Sequence, residues 1–350
     1  MQALHRPPRY ALLRPHHRPV SSVSPRSPRS PVNPAHGADV GTPGDTYPEH
    51  IEHGIVNVGE QRLYAASAGP ARGPLVLLLH GFPEMSYAWR RQMGPLAAAG
   101  FRVVAPDQRG YGWSSKPQGR AAYTLDLLAA DMVGLAQALG HERASVVGHD
   151  WGGLVAWTLA TRHSAFCERV AILNAPHPAT LLPEMLSRPV QVLKSAYIGL
   201  FQLPWLPETL LAAHDHRLLE KTLTEHSREG TFSAAELAVY HQAWAMPGAL
   251  TAMLDWYRAL TLPRAPPSSR AAASETPPVT VPVTMPVRVI WGDRDRALNA
   301  SLAERAMAHC LQGEVIHLEH AGHWLHHEEP ERVNALLLQF LLAPGAAGLA

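Results

Sequence analysis

An aspartate occupies a position from which a side chain can act as a nucleophile. Asp150 lies between Gly148 and Gly152, in a G-x-nucleophile-x-G pattern that is typical of a sharp strand-to-helix turn. Residues 144–147 predict a short buried strand before the turn, and residues 154–160 predict a helix after it. A carboxylate presented there can attack carbon directly and form an ester. The alternative interpretation is an aspartate that only caps a helix.

Backbone donors for a developing oxyanion are predicted at two places. Residues 75–79 form an apolar run typical of a buried strand and lead directly into residues 80–83. In this arrangement the backbone N–H groups of Phe82 and Trp151 converge on the oxyanion. We interpret His80 as a structural residue of the turn, because main-chain donors build such a hole.

A histidine base and its acid are predicted near the C-terminus. Triads on this kind of turn follow the chain order nucleophile, acid, histidine. Residues 287–291 predict a strand that ends before Asp293 and Asp295, and residues 314–318 predict another that ends before His323. We interpret His323 as the base and Asp295 as the acid that orients it. Asp293, in the same turn, remains the alternative acid.

Four motifs together resemble the α/β-hydrolase-fold epoxide hydrolases. They are His80-Gly81-Phe82-Pro83, Asp107-Gln108-Arg109-Gly110-Tyr111-Gly112, Gly148-His149-Asp150-Trp151-Gly152-Gly153 and Gly322-His323-Trp324. The resemblance covers residues 54–342. It implies an α/β-hydrolase fold, which is a doubly wound, mostly parallel sheet with an inserted helical cap. It also implies that an epoxide and water become a vicinal diol through a covalent aspartyl ester, with no cofactor.

The resemblance further implies two cap tyrosines that hold the epoxide oxygen. Tyr197 and Tyr257 occupy the matching segments, and we expect both, with Trp151, to contact substrate. A phenol with a pKa of about 10 can donate to a departing alkoxide. Tyrosines in a cap helix can also serve packing alone.

Two other functions compete with epoxide hydrolysis as interpretations of these residues. Haloalkane or haloacid dehalogenases of the same fold also use an aspartate nucleophile, but they commonly place Asn, Glu or a second Trp to bind the halide. Phe82, at the corresponding oxyanion-loop position, has no side-chain donor. A non-catalytic binding protein of this fold usually lacks a triad member, and none is missing here. The sequence therefore favours an epoxide hydrolase, with a dehalogenase as the alternative.

Composition indicates an ordinary globular enzyme. The chain has 350 residues, 46% hydrophobic content and a net charge of +1, which gives no argument for binding nucleic acid or lipid. Cys167 and Cys310 are its only cysteines, so no disulfide framework is implied. No apolar run approaches the roughly 18–20 residues of a membrane span. We expect a cytoplasmic monomer or homodimer whose partners are a small epoxide and water.

A cluster of histidines raises the question of a metal site. The chain has 21 histidines, and His320, His323, His326 and His327 lie close together in sequence. They lack nearby cysteines or an HExxH pattern, and Gly322 breaks the helix that would align them. The sequence therefore predicts no metal.

Composition changes along the chain suggest five segments. Residues 1–38 contain no Asp or Glu and cannot bury a core, so we interpret them as a solvated extension or as the result of a start codon placed too early. An organellar transit peptide is the alternative. The predicted segments are a disordered extension (1–46), the first part of the core (47–178), a helical cap (179–262), a Pro/Ser/Ala-rich insertion (263–286) and the second part of the core (287–345).

Overall fold

The computed structural model describes residues 50–180, 196–261 and 282–344. The predicted N-terminal extension, residues 1–46, and residues 263–281 of the predicted insertion lie outside the described residues. Val283, at the end of that insertion, pairs with Cys310 in an isolated parallel bridge. Ordered pairing with the core therefore begins a few residues before the predicted strand at 287.

An eight-stranded sheet forms the centre of the described chain. Its strands are β1 Glu52–Val58, β2 Gln61–Ala68, β3 Leu75–Leu79, β4 Arg102–Pro106, β5 Ala144–His149, β6 Cys167–Leu173, β7 Val287–Gly292 and β8 Gly313–Leu318. Their spatial order is β1-β2-β4-β3-β5-β6-β7-β8. The β1–β2 and β2–β4 pairs are antiparallel, and all other pairs are parallel. This confirms the predicted doubly wound, mostly parallel sheet.

The central strands are apolar because both faces of the sheet are covered. Every residue of β3, β5 and β7 is buried, which is the pattern of parallel strands between two helical layers. The carboxyl ends of these parallel strands meet at one edge of the sheet. Residues that follow β3, β5 and β7 are thereby brought together, although they are far apart in sequence.

Residues 178–180 are also helical, and ten α-helices lie wholly within the described residues. They are α1 Arg90–Ala98, α2 Leu125–Ala138, α3 Trp151–Arg162, α4 Ala196–Phe201, α5 Leu206–Glu225, α6 Ala234–Trp244, α7 Ala249–Ala259, α8 Ser301–Met307, α9 Leu325–Glu328 and α10 Pro330–Leu341. A single helix is predicted over 86–99, but Ser86–Trp89 forms a 3-10 turn before α1. Helix α5 contains non-helical backbone at residues 213–216.

Helices α4 to α7 lie between β6 and β7 in the chain, where the cap is predicted. Indole donors join this region to the core loops: Trp244 Nε1 donates to Pro83 O at 2.7 Å, and Trp256 Nε1 donates to Arg109 O at 3.0 Å. Within the described residues no helix is both long and apolar enough to cross a membrane. The cap is thus fixed above the strand ends that carry the predicted site.

Candidate active site

Asp150 sits at the turn between β5 and α3 with a left-handed φ of 51°. Non-glycine residues adopt such a φ at an energetic cost, and this is common at functional sites. The flanking glycines are required by space: a Cβ on Gly148 would overlap Gly152 O, and a Cβ on Gly152 would overlap Leu79 O. The G-x-D-x-G spacing therefore permits the close strand-to-helix turn that presents the carboxylate.

Two backbone N–H groups point at the Asp150 carboxylate. Phe82 N–H donates to Oδ1 at 3.0 Å, and Trp151 N–H also donates to the carboxylate. The side chain is 23% exposed, so a substrate can reach it while the surrounding protein still desolvates it. Burial raises the pKa of Asp150, and His323 with the two N–H donors opposes that rise.

His323 links the two carboxylates of the predicted triad. Its Nδ1 lies 2.7 Å from Asp295 Oδ2, and its Nε2 lies 3.7 Å from Asp150 Oδ2. Desolvation lowers the pKa of His323, but Asp295, Asp150 and Glu84 outweigh that effect and raise it to about 9. The imidazole is oriented by one carboxylate and directed at the other.

Both oxygens of the Asp295 carboxylate accept hydrogen bonds. Its Oδ1 accepts the backbone N–H groups of Ala297 and Leu298 at 2.7 and 2.9 Å, and its Oδ2 accepts Asn174 Nδ2 at 2.7 Å. Burial would raise the pKa of Asp295, but His323 and these donors lower it. Asp295 is thereby kept ionised beside the imidazole.

Asn174 was not singled out by sequence reasoning. It follows β6 with a left-handed φ of 39°, a conformation that asparagine tolerates better than most residues.

The alternative acid, Asp293, pairs with His317 Nδ1 at 2.6 Å on the surface. The geometry therefore brings Asp295, and not Asp293, to His323.

The two cap tyrosines lie above Trp151 and Phe82. The Tyr257 ring, on α7, is 4.8 Å from the Trp151 ring and 5.3 Å from the Phe82 ring, and Tyr197, on α4, is 5.9 Å from Tyr257. Tyr197 as a residue is 41% exposed, yet its phenol oxygen is desolvated. Burial, followed by nearby acidic groups including Asp150, raises the pKa of both phenols. Both therefore remain hydrogen-bond donors at neutral pH.

Two further residues complete the surroundings. Phe201, which the sequence did not indicate, stacks edge-on against Tyr257 at 5.0 Å and Tyr197 at 5.3 Å. His80 lies in the oxyanion turn, where its Nε2 accepts Gln108 N–H at 3.0 Å, a contact of the kind expected of a structural residue. The seven predicted site residues thus lie around one point: Phe82, Asp150, Trp151, Tyr197, Tyr257, Asp295 and His323.

Comparison with known proteins gives the family. A family model described as alpha/beta hydrolase fold matches residues 74–330. The chain belongs to the α/β hydrolase fold family. The order of its strands and the position of Asp150 after β5 are consistent with that membership.

Relatives of this α/β hydrolase include proteins named for epoxide hydrolysis. It is 43% identical to the AB hydrolase superfamily protein YfhM of Bacillus subtilis, over 82% of this chain and 96% of that protein. It is 34% identical to epoxide hydrolase 3 of Xenopus tropicalis, over 85% of this chain and 79% of that protein. Among solved structures, an inhibitor complex of Bacillus megaterium epoxide hydrolase matches with a TM-score of 0.72 and 28% identity, over 82% of this chain and 99% of the other. The chain is an epoxide-hydrolase-like α/β hydrolase.

Proposed function

We propose that this protein converts an epoxide and water into a vicinal diol through a covalent ester on Asp150. The observation that carries the proposal is the pairing of a carboxylate nucleophile with two protonated phenols, Tyr197 and Tyr257, across one small space. The names of the relatives support the same activity.

In the first step, an Asp150 oxygen attacks an epoxide carbon. The ring C–O bond breaks as the ester C–O bond forms, and its electron pair goes to the departing oxygen. Tyr197 and Tyr257 donate hydrogen bonds to that oxygen, and one phenol supplies its proton. The ordinary pKa of an aspartate is about 3.9. Burial raises the pKa of Asp150, whereas His323 and the N–H donors of Phe82 and Trp151 lower it and favour the carboxylate. Asp150 therefore needs no base for this step.

In the second step, water attacks the carbonyl carbon of the Asp150 ester. His323 Nε2 accepts a proton from the water, and Asp295 stabilises the resulting imidazolium. Formation of the ester removes the Asp150 charge, one of the charges that raise the pKa of His323. Esterification therefore favours the neutral imidazole at the point where a base is needed.

The tetrahedral intermediate of the second step carries a negative oxygen. The N–H groups of Phe82 and Trp151 already face Asp150 and are placed to stabilise that oxygen, at about 3–4 kcal/mol for each such donor in other enzymes. Collapse of the intermediate breaks the bond between the carbonyl carbon and the alkoxy oxygen. The alkoxy oxygen takes up the proton of the new Asp150 carboxyl group and the diol leaves, which restores the Asp150 carboxylate. The proton held by His323 returns through solvent to the phenolate, which restores the donor phenol.

Dehalogenation is the competing reaction for an aspartate nucleophile. The Phe82 side chain offers no hydrogen-bond donor and packs edge-on against the Tyr257 ring. A phenol can protonate an alkoxide, whereas a halide leaves as a stable anion and requires no proton. The paired phenols therefore favour an epoxide over a haloalkane.

The proposal is tested by measuring turnover of aromatic and aliphatic epoxides beside chloro- and bromoalkanes. We expect diol formation from at least one epoxide class and no halide release. Asp150→Ala is the control for background hydration. Halide release from a haloalkane without diol formation from any epoxide would show that the protein is a dehalogenase.

A further inference from the structure

Two histidines and an aspartate meet in the cap at the point where helix α5 is interrupted. Asp215 and His216 lie at the interruption, and His241 lies on α6, which packs beside α5. One possible ligand atom from each of the three side chains lies within 4.8 Å of the other two. We call Asp215, His216 and His241 the kink cluster.

The backbone of α5 leaves the helical conformation to place two of these side chains. His214, Asp215 and His216 have left-handed φ values of 51°, 55° and 60°. Residues other than glycine adopt this conformation at an energetic cost, and they do so as single residues more often than in a row. Strained backbone of this kind persists where other interactions outweigh its cost. An interaction that stabilises the kink is therefore expected nearby.

The His241 imidazole is oriented by a carboxylate of α5. Its Nε2 lies 3.0 Å from Glu220 Oε2. A carboxylate oxygen accepts, so Nε2 carries the hydrogen, and Nδ1 of the neutral imidazole is a bare lone pair. This Nδ1 is buried, makes no hydrogen bond with the described residues and lies 3.7 Å from Asp215 Oδ2. Two atoms that can only accept thus face each other.

His216 presents its Nδ1 to the other oxygen of the same carboxylate. The distance from His216 Nδ1 to Asp215 Oδ1 is 3.6 Å. This Nδ1 is also buried and has no hydrogen-bond partner in the part of the chain that the structure describes. Both separations are too long for a direct hydrogen bond. A proton alone therefore does not join Asp215 to either imidazole.

The charge around the kink cluster is negative. Among the described residues, Asp215 forms ion pairs only with His216 and His241, and Glu220 only with His241. No lysine or arginine of those residues balances the two carboxylates. When the imidazoles are neutral, a divalent cation would balance both carboxylate charges.

The separations fit the ligands of one transition-metal ion. Two ligands at about 2.0–2.1 Å from a tetrahedral zinc lie roughly 3.3 Å apart. The observed 3.6 and 3.7 Å exceed that value by only a few tenths of an ångström. Two imidazoles with one carboxylate are a ligand set that zinc takes in proteins. Metal-bound histidines also commonly donate their other ring N–H to a carboxylate, as His241 does to Glu220.

We propose that Asp215, His216 Nδ1 and His241 Nδ1 bind a divalent transition-metal ion, with zinc the best match. The Asp215 side chain is 88% exposed, so an ion can reach the cluster from solvent, and a water molecule can take the fourth position. The bound ion holds the strained kink of α5 against α6.

This metal site braces the cap where it contacts the core. The His241 ring lies 5.0 Å from the Trp244 ring on the same helix, and the Trp244 indole donates to Pro83 O in the oxyanion turn. The ion contacts none of the proposed reacting groups, so its role is structural. None of the four histidines grouped by sequence proximity, residues 320–327, belongs to the site.

The first test measures zinc binding by matched variants. The full chain is stripped with a chelator, desalted, mixed with Zn²⁺ and measured by isothermal titration calorimetry and inductively coupled plasma mass spectrometry. We expect about one ion per wild-type chain, and less than about a fifth of that in Asp215→Asn and in His241→Gln. Asparagine tolerates the left-handed backbone, so Asp215→Asn removes the anionic ligand without adding strain.

His214→Asn is the matched control for these variants. His214 shares the left-handed segment but is exposed and lies outside the kink cluster. We expect this variant to bind zinc as the wild type does. Wild-type zinc content in both Asp215→Asn and His241→Gln, or no zinc binding by the wild type, overturns the proposal.

A second test uses only the wild-type chain, so it does not depend on whether the variants fold. Crystals are grown with Zn²⁺, and diffraction is measured on both sides of the zinc absorption edge. We expect an anomalous peak at about 2.0–2.2 Å from the Asp215 carboxylate and the two Nδ1 atoms. Zinc-grown crystals without a peak at the kink cluster overturn the proposal, and water then fills the gap between these side chains.

Discussion

The core and the cap hold their parts of the active site by different means. On the core side, Asp150 and Asp295 follow β5 and β7 and are held by backbone N–H groups and by charge. On the cap side, Tyr197 and Tyr257 are positioned by edge-on contacts between aromatic rings. Under the proposed mechanism, the groups that hydrolyse the ester are thus held by hydrogen bonds at strand ends. The phenols that assist ring opening are placed by ring packing and by a hydrogen bond between them.

Under the proposed mechanism, this contrast separates the water-activating groups of the core from the phenol donors of the cap, while Asp150 serves both steps. Changes in the core loops should affect hydrolysis of the ester most strongly. Changes to the cap phenols should affect its formation. The following predictions are arranged from the largest expected effect to the smallest.

Removing the acid of the core should cause a large loss of turnover. Asp295→Ala takes away the carboxylate that orients His323 at 2.7 Å, and loss of such an orienting carboxylate lowers kcat by about 10⁴-fold in a related triad. Asp293→Ala is the matched control, because Asp293 pairs with His317 on the surface. Steady-state diol formation by the two variants checks this. Similar losses in both would contradict the assignment of Asp295.

Removing the cap phenols should slow ester formation. We expect Tyr197→Phe and Tyr257→Phe each to reduce the single-turnover rate of ring opening by about 10–100-fold, and the double change to nearly abolish it, because positioned proton donors contribute about 10²–10⁴-fold. Tyr123→Phe is the control, since that hydroxyl donates to Pro117 O away from the site. Unchanged turnover in the double variant would remove the tyrosines from the mechanism.

The pH dependence of ester hydrolysis should report His323. The imidazole must be neutral to accept a proton, so the hydrolysis rate should rise about tenfold per pH unit below its pKa and level off above it. That pKa is about 9 in the free enzyme and should be lower in the ester, where the Asp150 charge is gone. NMR titration of His323 measures its pKa in the free enzyme. The pH dependence of the stopped-flow decay of the intermediate measures its pKa in the ester. A hydrolysis rate that falls with rising pH would contradict the role of His323 as base.

Deleting residues 1–46 should have the smallest effect. Residues 1–38 contain no Asp or Glu and show no hydrophobic pattern, so they should add little to the stability of the core or to the site. We expect the melting temperature and diol turnover of the truncated chain to stay close to those of the full chain. A fall of many degrees in melting temperature would show that the segment packs on the domain.

Much of the core was predictable because its signals are local. The glycines around Asp150 and the apolar runs before Phe82 and Asp295 indicate strands and turns by themselves. The order nucleophile, acid, histidine then fixed which turns had to meet. The two cap tyrosines came only from the family resemblance, since nothing in their local sequence distinguishes a donor from a packing residue.

Other features depend on contacts between distant residues. Asn174 meets Asp295 across 121 residues, and Glu84 meets His327 across 243. The short helix α9 turns His326 and His327 into the interior, where both face Glu84.

Trapping the ester tests the central claim of covalent catalysis most directly. His323→Gln should form the ester but hydrolyse it slowly, because only the second step needs a base. Incubation with an epoxide should increase the intact mass by one substrate, on the peptide that contains Asp150. In heavy-oxygen water, one wild-type turnover should place label in the Asp150 carboxylate and none in the diol. A His323→Gln chain that never gains the adduct, together with solvent oxygen found directly in the diol, would contradict the account.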